Sequence, residues 1–169
     1  RSSAGTFATK VDYVTGDGPW SVFVSDIDGD GDGDVITANY NSSTMSVLKN
    51  NGDGTLGTKV DYGTGFAPRS VFVSDIDGDL DGDIVVANEN SGTISVYKNN
   101  GDGTFVAKVD YAASNGARSG IITDIDGDGD GDVLVAGGYR NIFVVLKNDG
   151  TGNFSTPVEY ETGGATTNS

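Results

Sequence analysis

Apolar residues in this chain fall in short runs separated by stretches of Gly, Asp, Asn, Ser and Thr. Between Ser70 and Tyr111 four segments favour β structure: Ser70–Ser74, Ile84–Asn88, Thr93–Lys98 and Phe105–Tyr111. The first two are almost continuously apolar (Val71-Phe72-Val73 and Ile84-Val85-Val86-Ala87), which predicts strands buried on both faces. The intervening residues carry turn chemistry. With 27 Gly and three Pro, the composition suits short strands and tight turns rather than helices.

The same pattern recurs every 49 residues. Phe7, Leu56, Phe105 and Phe154 coincide, as do Tyr13, Tyr62, Tyr111 and Tyr160, and Lys-Val-Asp-Tyr recurs in the first three copies. Asn50-Asn51-Gly52-Asp53-Gly54-Thr55 returns at Asn99–Thr104 and, loosely, at Asn148–Asn153. Asn-Gly and Asp-Gly predict a hairpin turn between the third and fourth strands; the repeated tyrosines are expected to pack between units.

A four-stranded unit of roughly 40 to 50 residues that cannot bury both its faces alone predicts an all-β fold, a β-propeller of four-stranded antiparallel blades. A meandering sandwich is the alternative, but nothing in a sandwich demands an identical period. Read as one repeat domain over residues 1–169, the chain holds blades at 21–65, 70–114 and 119–163. Residues 1–20 read as an extra outer strand of a preceding blade (Thr6–Tyr13) plus a linker, and Ala165–Ser169 aligns with the approach to a further first strand. Propellers typically close with about four to eight blades. Three blades and an orphan strand therefore point to a homo-oligomer that closes the ring head to tail, two chains supplying six blades, or to part of a longer array.

Between the first and second strands of each unit lies Asp-Ile-Asp-Gly-Asp-Xaa-Asp-Gly-Asp, at Asp26–Asp34, Asp75–Asp83 and Asp124–Asp132. Five alternating carboxylates cannot stay ionised at close range without a cation. Asp26, Asp28 and Asp30 alternate on the way in, Gly31 permits a positive-φ turn, and Asp34 returns to close the sphere. Asp32 would supply its backbone carbonyl, and a bidentate Asp34 makes seven oxygens reachable, which suits Ca²⁺ better than octahedral Mg²⁺. About three Ca²⁺ ions are expected, in a structural role. An EF-hand needs Glu at position twelve between helices; Thr37, Val86 and Val135 stand there, inside apolar strands.

The charge of −15 is largely that of these loops, and three Ca²⁺ would bring it to about −9. An acidic chain repels phosphate backbones and anionic leaflets, so no nucleic acid and no direct membrane insertion are expected; no apolar run approaches the ~18 residues of a membrane helix. Neither Cys nor His is present, which removes disulfides, thiolate zinc sites and the commonest general base. Arg1 rather than Met opens the sequence, compatible with a leader already removed.

The Asp-x-Asp-x-Asp-Gly-x-x-Asp pattern between two β segments, in a unit of nearly 50 residues, resembles the FG-GAP/VCBS repeat family, best known from integrin α-subunit propellers. The resemblance covers almost the whole chain. It implies side-chain ligands at Asp26, Asp28, Asp30 and Asp34, at Asp75, Asp77, Asp79 and Asp83, and at Asp124, Asp126, Asp128 and Asp132, with carbonyl ligands from Asp32, Asp81 and Asp130. Leu80 departs from the pattern, standing where Gly31 and Gly129 sit. A non-Gly residue in the left-handed region costs about 1–2 kcal/mol, so the middle site is expected to be distorted or weaker.

The resemblance also implies that the acidic loops and third-to-fourth turns share one rim. On the opposite rim Trp20, Arg69 and Arg118 fall at equivalent positions, and the second-to-third loops vary as Asn39-Tyr40-Asn41, Asn88-Glu89-Asn90 and Gly138-Tyr139-Arg140. Variable loops on a repeated scaffold are where binding usually resides. Trp20, Tyr40, Arg69, Glu89, Arg118, Tyr139 and Arg140 are therefore the candidate contacts for a carbohydrate or protein surface. The expected function is a secreted or cell-surface, calcium-stabilised binding module, lectin-like or adhesin-like, with no catalytic residue. The alternatives are a polysaccharide lyase, for which only Tyr40 or Tyr139 beside Arg69, Arg118 or Arg140 could act as base, and a purely architectural part of a larger surface protein.

Overall fold

The computed structural model describes residues 9–138 and 141–163. Among them twelve strands form three four-stranded antiparallel sheets and no helix. The first sheet holds β1 (Pro19–Ser25), β2 (Asp34–Asn39), β3 (Thr44–Leu48) and β4 (Val60–Gly63), paired in that order. The second holds β5 (Pro68–Ser74), β6 (Asp83–Asn88), β7 (Thr93–Tyr97) and β8 (Val109–Ala112). The third holds β9 (Ala117–Thr123), β10 (Asp132–Gly137), β11 (Ile142–Leu146) and β12 (Val158–Glu161). Each sheet is one blade of the expected propeller type, entered by its first strand and left by its fourth.

The continuous apolarity of the first two strands comes from burial between blades. In β5, Val71 and Val73 pack toward blade 1, with Ile36, Ala38, Met45 and Val47, while Phe72 packs toward blade 3. Every residue of β6 is buried. Two apolar clusters result, one on each side of blade 2. At about 1.5–3 kcal/mol per fully buried aliphatic or Phe side chain, these seams are the main source of cohesion. Two of the repeated tyrosines lie in them as expected: Tyr62 meets Phe105 edge-on at 5.4 Å, and Tyr111 meets Phe154 in the same way at 5.4 Å.

The fourth strand is shorter than its sequence suggests, Val109–Ala112 rather than Phe105–Tyr111. Phe105 makes only an isolated bridge to Asn99 and puts its ring into the seam beside Tyr62 and Tyr97. An apolar residue at that point reads as a strand start, but its burial is lateral. The expected extra outer strand lies partly outside the described residues. Residues 9–15 carry no ladder, because among the described residues no third strand lies beside them. Tyr13 nevertheless stands against blade 1 where Tyr62 stands against blade 2, its hydroxyl accepting the Leu56 N–H at 3.1 Å. Ala165–Ser169 also falls outside the described residues.

Each first strand skips a residue in its pairing with the second: the register passes from Pro19 to Ser21, from Pro68 to Ser70 and from Ala117 to Ser119. The residues left out are Trp20, Arg69 and Arg118, and such bulges re-aim side chains. No described helix is long and apolar enough to cross a membrane.

Candidate metal centres and the opposite rim

Each acidic loop is shaped by its own carboxylates. Asp26 accepts N–H bonds from Gly29 (2.8 Å) and Gly31 (2.9 Å), and Asp30 accepts from Asp32 N (2.9 Å). Asp34, fully buried at the head of β2, accepts Ile27 N at 3.1 Å and Asn50 N at 2.7 Å, one on each oxygen. The second and third loops repeat this arrangement around Asp75 and Asp83 and around Asp124 and Asp132. The outcome in all three is that positions one, three and nine (Asp26, Asp28 and Asp34; Asp75, Asp77 and Asp83; Asp124, Asp126 and Asp132) each bring one oxygen within 4.8 Å of the others.

Three carboxylates so placed fit a hard cation. Asp28 Oδ1 and Asp77 Oδ1 are buried and accept no hydrogen bond, a costly state for a carboxylate oxygen that a metal ion would relieve. Burial pushes Asp83 up to about 6, with Asp77 and Asp79 adding to it against the opposing N–H bonds of Asn99 and Ile76. Mutual repulsion is thus built into the loop.

The remaining expected ligands are placed differently. Asp30, Asp79 and Asp128 are turned back onto the N–H two residues on. The side chains of Asp32, Asp81 and Asp130 lean toward the hairpin instead. A Cβ on Gly52, Gly101 or Gly150 would stand 3.1, 2.7 or 2.6 Å from their Oδ2 atoms, which explains glycine there beyond its turn conformation. Leu80 sits at φ 75° and is 89% exposed, yet the second loop keeps the hydrogen bonds of its neighbours, Leu80 N to Asp75 at 3.0 Å included. The second loop thus keeps the hydrogen-bond pattern of the other two, with the left-handed strain at Leu80 itself.

Two groups that sequence reasoning missed surround the loops. Asn99 Nδ2 donates across the seam to Ile27 O (2.7 Å) and within its blade to Gly82 O (3.1 Å), while its Oδ1 accepts Gly101 N and Gly103 N. Asn148 does the same for Ile76 O and Gly131 O. The expected plain turn is therefore also a peg into the metal loop of the preceding blade; the available signal was the Asn held in register at 50, 99 and 148. Lys49 and Lys98 likewise join their own loop (Asp28 and Asp77, 3.3 Å each) to a carbonyl of the next blade's hairpin, Asp102 O and Thr151 O.

On the opposite rim the bulged side chains meet the second-to-third loops. The Arg69 guanidinium lies 4.0 Å over the Trp20 ring centroid and 5.2 Å from that of Tyr40, and the two rings are 5.5 Å apart. Glu89, only 2% exposed, accepts Arg69 Nε at 2.6 Å and Arg118 Nε at 2.7 Å. Five of the seven candidate contacts thus form one connected row across three blades. Tyr139 and Arg140 lie outside the described residues. Phe66, exposed on the same rim, was not foreseen; it stands where Asp17 and Asn115 stand in the other units.

Three in-register antiparallel blades, each with an acidic loop between its first and second strands, define a repeat protein of the β-propeller class with metal-binding geometry on one rim. The chain belongs to the FG-GAP-like repeat family, whose profile matches residues 26–86 and again 75–135. No curated protein matches it by sequence. Among solved structures it is similar to a lectin of Agrocybe aegerita described as recognising non-reducing terminal N-acetylglucosamine, with 28% identity and a TM-score of 0.58 over 82% of this chain. The chain spans 37% of that structure's length.

Proposed function

We propose that this chain is an extracellular, calcium-stabilised binding module that recognises carbohydrate on the rim opposite its metal loops. The observation that carries the reading is the row Tyr40–Trp20–Arg69–Glu89–Arg118, in which Trp20 remains 59% exposed. An indole more than half exposed, with a guanidinium over one face, offers its remaining surface to the apolar face of a sugar. The buried Glu89 holds both arginines in place, so the platform is preorganised. Similarity to a lectin supports the ligand class, and the unpartnered Asp28 and Asp77 oxygens support Ca²⁺ in the loops. In that role the ion would be held by Asp26, Asp28 and Asp34 and their equivalents, and would neutralise loop charge rather than touch the sugar.

A lyase reading finds Tyr40 and Arg69 adjacent, as it requires, but the guanidinium lies over the ring face, and its Nε is engaged by Glu89. That geometry does not activate the phenol as a base. A glycan array with terminal N-acetylglucosamine and uronate-containing glycans, probed in calcium, tests the proposal. Binding that falls at least tenfold in Trp20→Ala is expected. Binding indifferent to Trp20, or release of unsaturated uronate, overturns it.

A further inference from the structure

We propose that the outward face of blade 3 is covered by blade 1 of a second copy of this chain, head to tail, and that the third metal loop is completed by that copy's hairpin at residues 50–55. The argument is continuity with the two seams already present. At the seam between blades 2 and 3, blade 2 contributes Phe72, Val85, Ala87, Ile94, Val96 and Tyr111. The equivalents 49 residues on include Ile121, Ala136, Phe143 and Tyr160; Ile121 is 56% exposed, and Ala136 is also exposed. Phe143 and Tyr160 stack at 5.0 Å and, with Ile125, Val145, Asp126 and Lys147, line an open groove of about 310 Å³. At the other end of the arc, Val22 and Val24 are exposed, with Val24 at 60%, whereas their equivalents Val71 and Val73 pack against blade 1. Every chain therefore carries both halves of a third seam.

The polar parts of the seam are unmatched in the same complementary way. Gly103 lies against Lys49 and Asp28, and Gly152 against Lys98 and Asp77, but a Cβ on Gly54 would meet nothing within 4 Å. Asn99 and Asn148 each donate to the preceding loop, at Ile27 O and Ile76 O, while Asn50 donates only to Gly33 O. In a head-to-tail pair Asn50 of the second copy meets Ile125 O, and its Gly54 meets Lys147 and Asp126. One conflict arises: Tyr13 of the second copy and Tyr160 of the first claim the same place. Residues 11–14 carry no ladder hydrogen bonds and give way. Two copies then supply six blades, within the range of about four to eight at which propellers close. The contact is heterologous, and two copies are complete only if its rotation closes the ring rather than propagating a filament.

The test is the mass of the full chain in calcium by light scattering or sedimentation. Twice the 17.3 kDa of one chain is expected; a single-chain mass at tens of micromolar overturns the proposal. Val24→Asp and Ile121→Asp, on opposite faces, should each give single-chain mass with an unchanged β-sheet circular dichroism signal. Mixed in equal amounts they retain one intact seam and should recover a heterodimer. A dimer that survives either variant alone means like faces pair, which also overturns the proposal. Should a variant lose its sheet signal, Lys147→Glu probes the same contact from the exposed rim, and a dimer dissociation constant raised less than tenfold by it counts against the seam.

Discussion

The first two acidic loops and the third share one nine-residue motif, yet a following blade roofs only the first two. In those, the loop carbonyls Ile27 O and Ile76 O take an Asn from the next hairpin, the lysine is shared with that hairpin, and Asp28 Oδ1 and Asp77 Oδ1 are buried without a partner. In the third, Asp126 is exposed where Asp28 and Asp77 are half-buried, its Oδ1 accepts Asp128 N at 3.3 Å, and Lys147 closes on it at 2.8 Å. The Lys147 hydrogen bond holds the Asp126 carboxyl below the usual range. An identical motif thus gives an enclosed site, poised for a cation, only where a neighbouring blade walls it. If these loops hold calcium, their affinity should depend on the seam as much as on the loop.

The largest effect expected is from calcium removal. A ligand at one hundred times its dissociation constant stabilises by about 2.7 kcal/mol per site, and 1 kcal/mol moves the midpoint of a chain this size by about 2–4 °C. Chelation should therefore lower the melting temperature by about 15 °C or more in scanning fluorimetry; an unchanged curve removes the structural role. Titration of dilute protein should resolve two tight sites and one weaker. Three equal affinities under those conditions would show that the roof does not matter.

Next in size is the peg. Asn99→Ala deletes two donated and two accepted hydrogen bonds at a buried position and should cost about 2–4 kcal/mol in urea unfolding. Asn50→Ala loses one of each, partly exposed, and should cost about half as much. Equal losses would deny the cross-seam bond its weight. Leu80→Gly is smaller and opposite in sign: relieving a side chain held at φ 75° should stabilise by about 1 kcal/mol and tighten the second site, without altering the others.

Much of this was legible in the sequence because the period is strict. Apolar runs marked the inner strands, since blade 2 is buried on both faces and each of its neighbours on the face toward it, and Asp spacing marked the loops. Roles that depend on which residue of another blade lies opposite were not legible. Asn99 reads as half of an Asn-Gly-type turn, and its bond to Ile27 O spans 72 residues. Glu89 reads as one variable loop residue, although it sits between arginines 20 and 29 residues away on two blades. Phe105 reads as a strand start because apolarity alone does not say whether a side chain lies along a ladder or across a seam.

The smallest effect separates the lysines. Lys147 is half exposed and bonds only within its own blade, and exposed ion pairs contribute about 0–1 kcal/mol. Lys98 is less exposed and holds both Asp77 and the Thr151 carbonyl of the next blade. Lys98→Ala should therefore cost about 1 kcal/mol in urea unfolding in calcium, and Lys147→Ala no more than about 0.5 kcal/mol in dilute protein. If the third loop acquires its roof from a second copy, that gap should narrow as concentration rises, because Lys147 then gains the carbonyl contact that Lys49 and Lys98 already make. A gap that stays constant from dilute to concentrated protein would leave the third loop unroofed, and the difference between the loops would be intrinsic to a single chain.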